Sequence, residues 1–161
     1  MTSVQSLGAR GAASNASHSR VYVSFDVDND RELYERLLAQ ARGSSFCVSG
    51  ETQLPSSSEA WNERARHRIS EADQMIIICG QHTDASQAMS VEIRIAQEEQ
   101  TPYFLLWGRR AEMCTKPVGA KSAEGMYNWT WEILQDQVAI GHRRARALSE
   151  PRSRVSRVPV S

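Results

Sequence analysis

What this chain of 161 residues lacks narrows it before any motif is read. No run approaches the roughly 18 apolar residues of a membrane span, so no membrane partner is expected. Cysteine is scarce: Cys47, Cys79 and Cys114 lie far apart with no CxxC pair, which argues against zinc. Cys47 and Cys79 fall inside apolar, strand-like runs and read as buried free thiols of a reducing cytoplasm. The histidines His18, His67, His82 and His142 show no metal-ligand spacing, so no metal is expected. Neither GxGxxG nor GxxxxGK[ST] occurs, which removes the Rossmann and P-loop readings. There is no internal repeat.

Net charge is also lacking, since 19 Lys and Arg balance 19 Asp and Glu. The balance hides an asymmetry. From Arg143 to the end, six Arg face a single Glu, so the rest of the chain is acidic. An acidic body argues against a nucleic-acid partner. Residues 143–161 read as a basic disordered tail. Residues 1–19 have small polar residues and no apolar h-region, and read as a disordered leader rather than a secretory signal. Their Arg and Ser and lack of acids also fit a transit peptide. Between them, 20–142 are expected to form one domain.

That domain alternates strand and helix signals. "RVYVSF", "SSFCVSG", "QMIIICG" and "PYFLLWG" read as strands, and "PVGAKSAEGMYNW" has room for a short fifth. Helices are expected over "NDRELYERLLAQAR", where Asp30 stands near the start, over "SSEAWNERARHRISEAD", capped by Ser58, over the stretch after "GQHT", and over "WTWEILQDQVAIGHRR". Alternation with short connections implies an α/β flavodoxin-like fold: a parallel sheet in order 2-1-3-4-5, covered by helices on both faces. In such sheets ligands bind beyond the C-terminal strand ends, at the switch point between strands 1 and 3. Here that means "SFDVDND" and "GQHTDASQAM".

The helix that follows carries an anomaly. At about 100° per residue, Glu92 falls on the apolar side of "QAMSVEIRIAQEE", flanked by Ala88 and Ala96. Burying a carboxylate is costly unless it is paired or faces a wet cleft, and desolvation raises its pKa. If Ser90 were the N-cap, Glu92 would merely favour the helix dipole. Asp84 with Gln87 resembles a capping box that starts the helix earlier and removes that explanation. Coincidence with the switch-point cleft favours function.

Other constellations are weaker. Asp26, Asp28 and Asp30 resemble the Mg²⁺-binding acids of a phosphoacceptor receiver domain, but "IIICGQ" has no acceptor Asp at the end of strand 3. The loop after strand 1 has no Gly, so it is a poor phosphate cradle for FMN. Ser86 has no evident His base for a hydrolase triad. His82 lies in the cleft loop, as a surface residue or a minor binding group. Trp107 closes strand 4 either as a stacking surface or as a cap on the core.

Together these residues resemble the TIR domain, specifically the bacterial TIR-like family of Thoeris anti-phage systems. "VYVSFDVDND" is similar to the family's first box. "RHRISEADQMIIICG" resembles its approach to the third strand, and "YNWTWEIL" its close. "SQAMSVE" is similar to Ser-x-Trp-Cys-x-x-Glu, with Ser86 and Glu92 at matching positions and Ala88 and Met89 where the family has Trp and Cys. The resemblance implies cleavage of NAD at the nicotinamide–ribose bond, with Glu92 as the catalytic glutamate and NAD as substrate rather than cofactor. Phe25 and Trp107 would then sandwich the rings, and Asp26 and Ser86 bind hydroxyls. It further implies an ADP-ribose or cyclic ADP-ribose-type signal, a separate effector that reads it, and self-association. Two other classes stay open: a non-catalytic TIR interaction module, and a nucleoside deoxyribosyltransferase-like enzyme whose glutamate attacks an N-glycosidic centre.

Overall fold

A computed structural model describes residues 19–51 and 59–149. Five strands form one parallel sheet: β1 (Ser19–Ser24), β2 (Phe46–Gly50), β3 (Gln74–Cys79), β4 (Tyr103–Trp107) and β5 (Met126–Tyr127). Their order is β2-β1-β3-β4-β5, as the alternation of elements implied. All pairs are parallel, with Val23 opposite Gly50 and Ile76, and Cys79 opposite Trp107. Four α-helices accompany them: α1 (Arg31–Ala41), α2 (Glu59–Glu71), α3 (Gln87–Glu99) and α4 (Trp131–Ser149).

Right-handed crossovers decide which helix covers which face. The chain steps one way from β1 to β2 and then the other way from β2 to β3 and β4, so α1 lies on one face and α2 and α3 on the other. Alternation along the strands sorts the side chains accordingly. Val21, Val23, Phe25, Ile76, Ile78, Phe104 and Leu106 meet Leu33, Tyr34 and Leu37 of α1 and Leu134 and Val138 of α4. Tyr22, Met75, Ile77, Cys79 and Leu105 meet Trp61, Ala65 and Ile69 of α2 and Met89, Ile93 and Ala96 of α3. β3 is buried at every position, which is why its sequence is a continuous apolar run.

Several local expectations change. Cys47 is exposed rather than buried, because β2 is an edge strand and Cys47 alternates with the inward Phe46. Asp30 stands at the N-cap of α1 without capping it, its side chain being drawn to Arg109 instead. α4 runs on to Ser149, past the expected end of the domain at 142, so the first residues of the basic stretch are helical. Gly141 does not end that helix; a Cβ there would come within 2.4 Å of the Gln74 side chain, so glycine permits close packing. Ser19, expected to end the leader, is buried and begins β1. The rest of the leader, the Ser58 cap and residues 150–161 of the basic tail fall outside the described residues.

Candidate functional site

β1 and β3 end side by side, and the loops that leave them diverge into a cleft of about 430 Å³. One wall is Asp26, Val27, Asp28 and Asn29; the other is His82, Ala85, Ser86, Gln87 and Ala88. This is the switch-point position expected of the sheet order.

The second wall is the start of α3. A single 3₁₀ turn, Thr83–Ala85, follows β3, and Ser86 then caps the helix, its Oγ accepting from the Met89 N–H at 3.2 Å. Neither the Asp84 box nor a Ser90 cap forms. Glu92 therefore lies in the second turn, beyond the reach of the helix dipole, and the dipole explanation fails. Ala88, one turn earlier on the same side, lines the cleft, and Met89 is buried in the core.

Glu92 is only 4% exposed. Both its oxygens are occupied: Tyr22 Oη donates to Oε2 at 2.6 Å and Ser24 Oγ to Oε1 at 2.7 Å. Burial pushes the Glu92 carboxyl up to about 7, while the bonds from Ser24 and Tyr22 pull it down. Burial, then the charge on Glu92, raises the Tyr22 phenol, so its proton stays on the tyrosine. Arg68 of α2 lies 5.4 Å from the centre of the Tyr22 ring and donates to the Gly50 carbonyl at 3.2 Å. The result is a carboxylate within the apolar packing of α3 that titrates near neutrality.

The other expected site residues divide. Ser86 and Asp26 line the cleft, but each also works locally. Ser86 is the helix cap. Asp26 accepts from the Asp28 N–H at 3.2 Å and from Asn29 Nδ2 at 2.7 Å, folding its own loop as short acidic side chains do. Phe25 does not line this cleft. It points to the opposite face of the sheet, where it is buried and stacks on Tyr34 with centroids 4.5 Å apart, because consecutive strand residues alternate. Trp107 does not line this cleft either. β3 separates its strand from β1, and its indole N–H donates to the Arg109 carbonyl at 2.8 Å while the ring packs on the core.

Tyr22 and Ser24 were not picked out as site residues from the sequence. The available signal was their placement two apart in "VYVSF", two hydroxyls on one face of a strand otherwise apolar. Arg109 was missed as well. It braces the rim, donating to Asp30 at 2.9 Å, to the Asn29 carbonyl at 3.0 Å and to Glu32 at 2.8 Å. Asp30 Oδ2 has no partner among the described residues and faces Gly80, where a Cβ would sit 2.2 Å away. Burial raises the Asp30 carboxyl and Arg109 counters it.

The family model described as Thoeris protein ThsB, TIR-like domain, matches residues 22–111. The chain belongs to the Thoeris ThsB TIR-like domain family. The match runs from the middle of β1 past the end of β4 and includes both cleft walls, Tyr22, Ser24 and Glu92. No curated protein matches the chain. Among the described residues no helix is long and apolar enough to cross a membrane.

Proposed function

We propose that this TIR-type defence protein is a cytoplasmic NAD glycohydrolase or cyclase that cleaves the nicotinamide–ribose bond with Glu92. The observation that carries the reading is the buried carboxylate itself. It sits one helical turn from the cleft wall, fully hydrogen-bonded and titrating near pH 7. Such burial is costly to a purely structural residue and serves a catalytic one.

The chemistry suits a lone carboxylate. Glycosidases ordinarily need a second acid to protonate the leaving oxygen. Nicotinamide leaves from a pyridinium: the C1′–N bond breaks, its electron pair neutralises the ring nitrogen, and no general acid is required. Ionised Glu92 stabilises the oxocarbenium-like ribose or holds its hydroxyls. Water addition with loss of a proton gives ADP-ribose; attack by a nucleophile of the same molecule gives a cyclic ADP-ribose-type product. Asp26 and Ser86, on facing walls, are the candidate contacts for substrate hydroxyls. The product would signal to a separate effector during phage infection, with self-association of the chain as a further element.

A second reading is favoured by one observation. Glu92 is engaged on both oxygens and does not itself line the described cleft, as suits a TIR interaction module that catalyses nothing. One experiment separates the two. The purified protein is incubated with NAD, alone and in lysate of phage-infected cells, and nicotinamide release is followed by mass spectrometry beside Glu92→Gln. Release that falls about 100-fold or more in the variant supports the enzyme. No release in either setting, together with undiminished phage protection by Glu92→Gln in cells, supports the module.

A further inference from the structure

Tyr22 and Ser24 stand two residues apart on β1, so their side chains share a face and their Cα atoms lie about 6.6 Å apart. Glu92 projects from α3 onto that face, and each hydroxyl meets a different oxygen of one carboxylate, at 2.6 and 2.7 Å. Tyr22 is 1% exposed and Ser24 fully buried. A hydroxyl carries a single proton, and here each is given to Glu92. The two bonds therefore fix the tilt and the rotation of the carboxylate together, which one bond would leave free.

We propose that Tyr22 and Ser24 are positioning residues for Glu92, two buried donors on β1 that aim its carboxylate and favour its ionised form. The proposal rests on the reading of Glu92 as the group that acts on substrate. Hydrogen bonds to an anion in a low-dielectric setting are stronger than neutral ones, and they oppose the desolvation that drives the carboxyl toward its neutral form. The other charged groups that face it are few. Arg68 of α2, held over the Tyr22 ring, favours ionisation, and Glu51 at the end of β2 opposes it. β3 contributes Met75, Ile77 and Cys79 to the same cluster, and burial pushes the Cys79 thiol up to about 12, so it adds no charge near neutral pH. Ser24 also places the carboxylate near the cleft, since it ends β1 and the wall begins two residues later at Asp26.

The test has two arms and uses the full chain. In the first, carried out without ligand, protein labelled with ¹³C at Glu carboxyls is titrated by NMR, the Glu92 resonance being the one absent from Glu92→Gln. Tyr22→Phe keeps the ring, Ser24→Ala removes the hydroxyl, and Ser24→Thr restores one. The Glu92 midpoint is expected to rise by about one unit in Tyr22→Phe and in Ser24→Ala, a tenfold loss of the ionised form at a fixed acidic pH, and to return toward the wild-type value in Ser24→Thr. An unmoved midpoint in both hydroxyl-less variants overturns the proposal.

In the second arm, the acidic limb of the rate of nicotinamide release from NAD is followed with pH. The limb should move upward with the NMR midpoint while the alkaline plateau retains most of its height. An equal loss at every pH with the limb in place is what a merely structural role produces, and it too overturns the proposal. If the wild-type protein releases no nicotinamide, the catalytic reading fails, and the first arm alone decides whether the two hydroxyls hold the carboxylate ionised.

Discussion

The two faces of the sheet are built from the same strands to different rules. Toward α1 and α4, β1 and the residue after it present Val21, Val23 and Phe25, which close on aromatic and aliphatic partners, with Phe25 stacked on Tyr34 and Phe46 on Trp131. Toward α2 and α3, the same strand offers Tyr22 and Ser24, and the helix above answers with Glu92. The first face packs hydrophobic side chains against one another. The second gives up stability for a group that titrates near pH 7, the arrangement expected where a protein works rather than merely packs.

Four measurements test this contrast. The largest stability effect is expected on the face toward α1 and α4, where Leu106→Ala removes a fully buried side chain. It should cost about 2–5 kcal/mol in urea unfolding; a loss below about 1 kcal/mol would mean that face is not the stabilising one.

On the other face the effect should have the opposite sign and depend on pH. Glu92 carries a folded-state value of about 7 against 4.5 when unfolded, so the native state holds the proton more tightly. Below pH 4.5 the group is protonated in both states and costs nothing. As pH rises to 7 the unfolded chain loses its proton first, stability falls, and the penalty is complete above 7. Relative to wild type, Glu92→Gln should therefore gain about 3 kcal/mol between pH 4 and pH 8. A stability difference that stays flat with pH would show that Glu92 is not desolvated as described.

Phe25→Leu, on the far face, should cost about 1 kcal/mol and, under the proposed NAD cleavage, leave the KM for NAD unchanged. A several-fold rise in KM would return Phe25 to the substrate site. Of similar size is Ser86→Ala, which removes the cap of α3 and should cost about 1 kcal/mol, read as a fall in Tm. A loss of NAD affinity well beyond that stability change would make Ser86 a substrate contact as well as a cap.

Periodicity alone determined a good deal of this protein. The unbroken apolar run of β3 declared a central strand, and the alternation of strands with helices declared the sheet order. The spacing of Val91, Ile95, Ala88, Glu92 and Ala96 put a carboxylate on the inward side of α3, because side-chain direction in a helix follows from residue number. The same rule, applied to β1, puts Phe25 opposite Ser24 and so away from Glu92. Capping was not legible in this way: the sequence pointed to Asp84 or Ser90, and the 3₁₀ turn at Thr83–Ala85 gives the role to Ser86.

Which side chains meet across the fold is another matter. Tyr22 and Ser24 are separated from Glu92 by 70 and 68 residues, and Arg109 from Asp30 by 79. No local pattern encodes such pairs, because they arise only when crossovers bring α3 over β1 and the loop after β4 beside the loop after β1. The sequence by itself determined that a carboxylate would be buried here. Its partners, and with them its charge at neutral pH, exist only once the sheet has closed around it.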